Sequence, residues 1–369
     1  MLPNEIALNL INEYIVKFKN KQDFENKNLK KELINKLLNN NTLIKTEDGT
    51  YTLVSEDSEE LMHSKIGALR ESVEKFVMPS KLETLELPKI LDLCSGIGYN
   101  SVASLRYNKN CKIDMVEYSK ETLFLSLCLY IPFKEEHGII KEAIKNHILK
   151  DNLPKYCKNQ NQQINIYEGD ARKIVIDLKK LNKKYNIVFH DGFSPQRDSV
   201  LYTVDFLKNI YELMENGGVL LSYSSSIPFR SGLIEAGFII SEGEAIGRKR
   251  GITIAYKNLK PLRSSTISLE NTENTEIKRI SEIDERVIAL STVGAPYRDP
   301  DFNLSHNEII NNREIERNNL KENLLKKGIY YSTKRVKLGK IPEKYLEIQK
   351  ENLNSTEIIK KMRDLYYSY

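Results

Sequence analysis

Acidic residues recur where apolar runs end in the middle of the chain: Asp92 in KILDL, Glu117 in KIDMVE, Asp170 in YEGDAR and Asp191 in VFHDGF. Carboxylates at such places accept hydrogen bonds from the hydroxyl, amino and ammonium groups of a ligand. After Asp92 comes CSGIGYNS, where Gly96 and Gly98 let the backbone turn sharply and approach a ligand before a helix begins. The free N–H groups at that helix start favour an anionic group. Glu117 lies 25 residues beyond Asp92, where a carboxylate accepts both hydroxyls of a ribose. Asp170 is placed to accept from an adenine amino group. The expected nucleoside-binding set is Asp92, Cys94, Gly96, Gly98, Asn100, Glu117, Tyr118, Asp170, Ala171 and Asp191. Cys94 reads as a small packing residue in that loop rather than a nucleophile. The loop is not a phosphate-binding P-loop, because no Gly-Lys-Ser/Thr follows. It is a poor dinucleotide site, because Ser101 stands at the third glycine position.

These acids need a frame. From Pro88 to about Leu259 the pattern repeats strand, loop and helix. Strand candidates are Lys89–Leu93, Lys112–Glu117, Ile164–Tyr167, Tyr185–His190, Gly218–Ser222, Phe238–Glu242 and Gly251–Tyr256. The alternation predicts an α/β fold with a mostly parallel seven-stranded sheet covered on both faces. The last two strands are too close for a crossover helix, so an antiparallel hairpin is expected there. Upstream, residues 1–40 read as helical. LIKTEDGTYTLVS reads as a hairpin turning on the two residues Asp48-Gly49. SEELMHSKIGALRESVEKFVMPS reads as a helix stopped near Pro79. Ser264–Thr275 reads as a polar linker, and residues 276–369 as helical, charged and tyrosine-rich. The expected division is a helical region with a short hairpin over 1–85, the ligand-binding domain over 86–262, and a linker with a basic helical region over 263–369.

Composition sets limits. The 369 residues are 40% hydrophobic and 29% charged, and 56 Lys and Arg against 51 Asp and Glu leave +5. That excludes a wholly disordered chain or a collagen. The four cysteines (Cys94, Cys111, Cys128, Cys157) form no C-x-x-C pair, so neither a disulfide framework nor a metal site is expected. No apolar run reaches the roughly 18 residues of a membrane span, and the N-terminus lacks a signal-peptide pattern. A cytoplasmic protein with reduced thiols and no membrane partner is the expectation.

The acids, the glycine loop and the closing hairpin resemble the class I S-adenosylmethionine-dependent methyltransferases over about residues 85–260. Two features narrow this. One is HDGFSP (His190 to Pro195) followed by Tyr202-Thr203; the other is GRKRG (Gly247 to Gly251), with LIEAGF between them. Together with DGTYTL and MHSKIGALRES, they look like the methyltransferase half of the tRNA 5-methylaminomethyl-2-thiouridine biosynthesis protein, the MnmC-like family, in its stand-alone form. Tyr202 stands where that pattern leads one to expect Trp. The resemblance implies a Rossmann-like fold and S-adenosyl-L-methionine as cofactor. It also implies methyl transfer to the amine of an aminomethyl group on the wobble uridine, with the tRNA anticodon region as partner. Enzymes that make the aminomethyluridine would be functionally coupled. Nothing after Pro261 supplies the strand and glycine-rich loop of the bifunctional proteins' flavin-dependent oxidase, so methylation without oxidation is expected.

Asp191 suits that chemistry. An alkylamine with a pKa near 10.4 is mostly protonated at neutral pH, and a carboxylate beside it orients it, stabilises developing ammonium charge and can take a proton. The alternative is a turn-capping residue. Phe193 and Tyr202 are catalytic-site candidates that stack on or wall off the uracil, or else plain packing. Arg248, Lys249 and Arg250 suit phosphate contact. So do Lys334, Arg335 and Lys337, within a 321–344 segment carrying eight Lys or Arg against two Glu, with Tyr330 and Tyr331 among them. A solvated surface is the competing reading for both runs. His63 and His190 read as structural. Ser291–Ser305 reads as a loop packing over the catalytic face. Alternatives are a spermidine-synthase-like aminopropyltransferase, a non-catalytic RNA-binding protein that retains the fold, and a methyltransferase acting on a small molecule or protein.

Overall fold

The computed structural model describes residues 2–56, 61–149, 163–245, 250–258 and 277–368. In chain order the elements are α1 (Glu5–Ile15), α2 (Lys27–Asn39), β1 (Leu43–Lys45), β2 (Tyr51–Leu53), α3 (Ala68–Glu71), α4 (Met78–Ser80), β3 (Lys89–Leu93), α5 (Tyr99–Tyr107), β4 (Lys112–Glu117), α6 (Lys120–Cys128), α7 (Lys134–Ile148), β5 (Ile164–Glu168), α8 (Ala171–Lys180) and β6 (Tyr185–His190). There follow α9 (Val204–Leu213), β7 (Met214–Ser222), α10 (Ile227–Glu235), β8 (Ile239–Glu242), β9 (Thr253–Tyr256), α11 (Glu282–Leu290), α12 (His306–Lys326), α13 (Thr333–Lys337), α14 (Glu343–Lys350) and α15 (Ser355–Tyr367). The seven-stranded sheet has the order β5-β4-β3-β6-β7-β9-β8. β3 pairs in parallel with both β4 and β6, and β4 with β5. β9 runs antiparallel between β7 and β8. The mostly parallel sheet with an antiparallel last strand is therefore present. β3 and β4 are buried at every position after an exposed leading lysine, as expected of strands covered on both faces.

The chain divides into two compact units, residues 1–177 with 187–193, and residues 178–186 with 194–369. In the first unit, Phe18 lies 5.1 Å from both Phe24 and Phe124, which fastens the N-terminal helices to α6. The β1–β2 hairpin turns on three residues rather than two. Thr46 N–H donates to Thr50 O (2.9 Å), and Gly49 closes the loop at φ +82°. The extra residue frees the Asp48 carboxylate to accept from the N–H groups of Thr50 and Arg70, both at 3.0 Å. Asp48 thereby caps the next helix. A side chain at Gly67, at φ +148°, would collide with that carboxyl.

The helix expected from Ser58 begins only at Ala68, after that cap. Ser72–Val77 winds as a π-helix, and Met78 N–H reaches back five residues to Val73 O. Pro79 is tolerated inside the last turn, and the stop comes at Lys81, in the left-handed region at φ 52°. Among the strands, β7 begins at Met214, ahead of the expected Gly218, and β9 at Thr253 rather than Gly251. The expected linker Ser264–Thr275 and Cys157 lie outside the described residues. Among those described, no helix is long and apolar enough to cross a membrane.

In the second unit a fully buried arginine ties the elements together. Arg230 of α10 meets Asp284 of α11 at 3.1 Å and Glu242 of β8 at 3.2 Å, and donates to Thr253 Oγ1 of β9 at 3.0 Å. Burial lowers its pKa, and the two carboxylates oppose that shift. Removing one member of such a cluster leaves uncompensated buried charge. Arg230→Met is expected to lower the free energy of urea unfolding by about 3–5 kcal/mol; a loss below about 1 kcal/mol would contradict this account.

Candidate active site

The glycine loop runs from the C-terminal end of β3 to α5. Cys94 (φ 60°), Gly96 (φ 55°) and Gly98 (φ 95°) all sit in the left-handed region. Gly98 starts α5, where an added Cβ would press on Ile140 and Met115 at 3.3 Å. The loop is pinned by Ser95 N–H donating to Val116 O (3.1 Å) and by Gly98 N–H donating to Ser95 O (2.8 Å). Glu117, the last residue of β4, accepts from Gly96 N–H at 2.8 Å through one oxygen and from Ser119 N–H at 2.9 Å through the other. Each oxygen keeps a lone pair for a ligand hydroxyl. Burial raises the Glu117 pKa, and the backbone donors oppose the rise.

Asp92 is completely buried and accepts from Ser101 Oγ at 2.6 Å and from Asn100 Nδ2 at 3.4 Å. The same Asn100 amide donates to Asp191 at 2.9 Å, so one side chain bridges carboxylates on neighbouring strands. Asp191 continues the β3–β6 ladder, its N–H donating to Leu93 O at 3.3 Å. Burial pushes Asp92 up to about 7, with the charges of Asp191 and Glu117 adding to the shift. Asp191 is partly exposed and rises less, to about 6, again through desolvation, while His63 pulls the other way. None of the three acids has a Lys or Arg at ion-pair distance among the described residues. The buried Ser95 Oγ and Asn100 Oδ1 have no hydrogen-bond partner. Three clustered acids, two unmatched polar atoms and an open glycine turn fit a nucleoside that brings its own positive charge.

The other anticipated residues are less uniform. Tyr118 follows Glu117 and is 63% exposed, leaving a ring face free. Asp170 caps α8 through Arg172 N–H (2.9 Å) and grips the Arg172 guanidinium, so it is already engaged; Ala171 is nearly buried beside it. Phe193 is half-buried at the end of the first unit. Tyr202 lies in the second unit, fully buried and edge-on to Phe229 at 5.0 Å, an arrangement that leaves no ring face for a base. Arg250 is 48% exposed and paired with Asp284 at 3.0 Å; Arg248 and Lys249 lie outside the described residues. Lys334, Arg335 and Lys337 are exposed on α13. Ser291–Ser305 is bonded within its own unit, to α9 through Val204 N–H and Tyr297 O (2.9 Å) and to α10 through Ser231 and Gly294. His190 is buried, in keeping with a structural residue. His63, which reads as structural in the sequence, lies 3.7 Å from Glu71, and Glu71 pairs with Lys75 at 2.5 Å. Sequence reasoning missed Glu71 and Lys75, and only Glu71 carried a signal, its place in MHSKIGALRES.

An acid whose pKa is higher folded than unfolded binds more protons in the folded state, so ionising it costs stability. Without cofactor, stability is expected to fall as pH rises from about 4, the unfolded value, towards the folded value of about 7 at Asp92. Asp92→Asn should flatten that slope. Urea unfolding of both proteins across this range checks it; an unchanged slope in the variant contradicts it.

A family profile described as S-adenosyl-L-methionine-dependent methyltransferase matches residues 134–258. An uncharacterized protein of Methanocaldococcus jannaschii is 54% identical over 363 residues, covering 98% of this chain and 96% of that protein. The crystal structure of MnmC2 from Aquifex aeolicus is 30% identical with a TM-score of 0.58, covering 75% of this chain and 85% of that one. The tRNA 5-methylaminomethyl-2-thiouridine biosynthesis bifunctional protein MnmC of Ralstonia nicotianae is 32% identical over 87 residues, 24% of this chain and 13% of that protein. The fold, the cationic nucleoside that the acids fit and these similarities converge. The chain belongs to the MnmC2-like family of S-adenosyl-L-methionine-dependent methyltransferases, with S-adenosyl-L-methionine as its cofactor.

Proposed function

We propose that this enzyme N-methylates the aminomethyl group on the wobble uridine of tRNA, converting 5-aminomethyl-(2-thio)uridine to 5-methylaminomethyl-(2-thio)uridine, and that it carries no oxidase step. The observation behind the reading is the 30% identity to MnmC2 over 85% of that chain, together with the modification named for the Ralstonia protein. Other enzymes then supply the aminomethyluridine.

S-adenosylmethionine supplies an electrophilic methyl group on a sulfonium. Glu117 accepts the ribose hydroxyls, the role its two backbone-anchored oxygens suit. Gly96 and Gly98 keep the loop thin beside the ligand, with Cys94 turning the chain into it. Asp92 and Asn100 form the polar floor next to the cationic part, and Tyr118 covers the adenine with its free ring face. Asp170 and Ala171 close the adenine edge. Asp191 receives the substrate ammonium, orients it towards the methyl and takes up proton density as the amine reacts. Phe193 borders the uracil. The exposed Arg250, Lys334, Arg335 and Lys337, with Arg248 and Lys249, hold the RNA backbone in the anticodon region.

The test is mass spectrometry of nucleosides from tRNA carrying aminomethyluridine, incubated with the protein and methyl-labelled S-adenosylmethionine. Label is expected in methylaminomethyluridine, with Asp191→Ala lowering the rate by about 10²–10⁴. Label in a different nucleoside, or in a polyamine or protein acceptor instead, would overturn the assignment.

A further inference from the structure

Asp191 is a carboxylate with a single tether. Among the described residues its side chain accepts one hydrogen bond, from Asn100 Nδ2 to its Oδ2 at 2.9 Å. Terminal carboxylate torsions are broad, so a half-buried Asp released from its one donor turns easily. Asp92 is placed differently. It is completely buried, and Ser101 Oγ already donates to its Oδ2 at 2.6 Å. Asn100 Nδ2 stands 3.4 Å from the other Asp92 oxygen. That is the long limit of a hydrogen bond, whereas 2.9 Å is the usual length. The amide of Asn100 therefore serves Asp191 more than it serves Asp92.

The fold holds this amide firmly and at a cost. Asn100 is the second residue of α5 and only 3% exposed, and Ser104 Oγ donates to its backbone carbonyl at 2.8 Å. α5 starts from Gly98 at φ 95° without a side-chain cap, so the place of Asn100 follows from the glycine turn. Asp191 is placed from the other side, by its own N–H on Leu93 O at the end of β3. The far end of the same amide, Asn100 Oδ1, is buried and has no hydrogen-bond partner. An unpaired buried acceptor is destabilising, and an asparagine kept for cohesion satisfies both ends of its amide. Asn100 turns its N–H end to two acids and leaves its carbonyl end unmatched. The acids, not the packing of α5, set its orientation.

We propose that Asn100 is the positioning residue for Asp191: Nδ2 fixes Asp191 Oδ2, so that Oδ1 is presented to the ammonium of the acceptor. This rests on the aminomethyl acceptor proposed above. In this role Asn100 acts through Asp191. The amine must meet the methyl group in line, and a misplacement of about 1 Å costs about 10²-fold in rate. The tether ties the carboxylate that orients the acceptor to the helix that follows the cofactor loop. Both halves of the reaction then share one rigid reference, the first turn of α5.

The test is a double-mutant cycle of Asn100→Ala and Asp191→Ala, read as single-turnover methylation of aminomethyluridine tRNA at saturating S-adenosylmethionine. Asn100→Ala alone is expected to lower the rate at least about tenfold. In the Asp191→Ala background the same substitution is expected to lower it less than about twofold, because nothing is left to position. Losses that multiply in the double variant would overturn the proposal, as would a loss that saturating cofactor abolishes. Should Asn100→Ala fold poorly, Asn100→Asp takes its place in the cycle, since it keeps the shape and removes the donor. A crystal structure of the Asn100 variant gives a readout independent of the acceptor. The Asp191 carboxylate is expected to be turned from its wild-type place or spread over several, with Ser101 still on Asp92; an unmoved Asp191 would overturn the tether. If wild type leaves aminomethyluridine unmethylated, the acceptor assignment falls separately, and that crystal structure alone decides the role of Asn100.

Discussion

Three carboxylates share one low-dielectric corner of the first unit, and much of its architecture follows from that. Burial makes Asp92 costly to ionise, and the neighbouring charges of Asp191 and Glu117 add to that cost. The described residues answer with neutral donors rather than buried cations: Ser101 and Asn100 on Asp92, Asn100 on Asp191, and the backbone of Gly96 and Ser119 on Glu117. Such donors orient the acids without neutralising them. A ligand carrying a sulfonium and an ammonium then finds the negative potential unspent.

Holding those donors in place requires backbone that few sequences adopt. Cys94, Gly96 and Gly98 occupy left-handed conformations, with the Gly96 N–H on Glu117 and Asn100, in the first turn of α5, hydrogen-bonded to both aspartates. The N-terminal hairpin braces the same helix through Tyr99. Asp48 fixes the hairpin to the helix behind it, and only glycine fits at residue 67 against that carboxylate. Strain and unsatisfied polarity thus gather around one strand edge, where function rather than stability sets the geometry. The second unit uses charge differently: Arg230 is matched by Asp284 and Glu242, so its buried charges serve cohesion.

The sheet was legible because its signals are local. Apolar runs of five or six residues ending in acids marked β3, β4 and β6 with their bounds intact, and two glycines after Asp92 marked the turn. What escaped was decided by side chains far apart in sequence. Asp48 reads as a turn residue, but its cap on Arg70 lengthened the hairpin loop and delayed the helix start to Ala68. The stop near Pro79 was legible and falls at Lys81, but the π-helical turn Ser72–Val77 before it was not. Asn100 and Asp191 are 91 residues apart, and no local pattern announces their bond. Asp170 shows the converse: its place at a strand end was legible, but its engagement by Arg172 at the head of α8 was not.

The most direct test of the account is a crystal structure of the protein with S-adenosylmethionine bound. The account predicts both ribose hydroxyls on Glu117, the cationic groups beside Asp92 and Asn100, and the methyl group facing Asp191. A cofactor whose ribose does not touch Glu117, or whose methyl points away from Asp191, would contradict it.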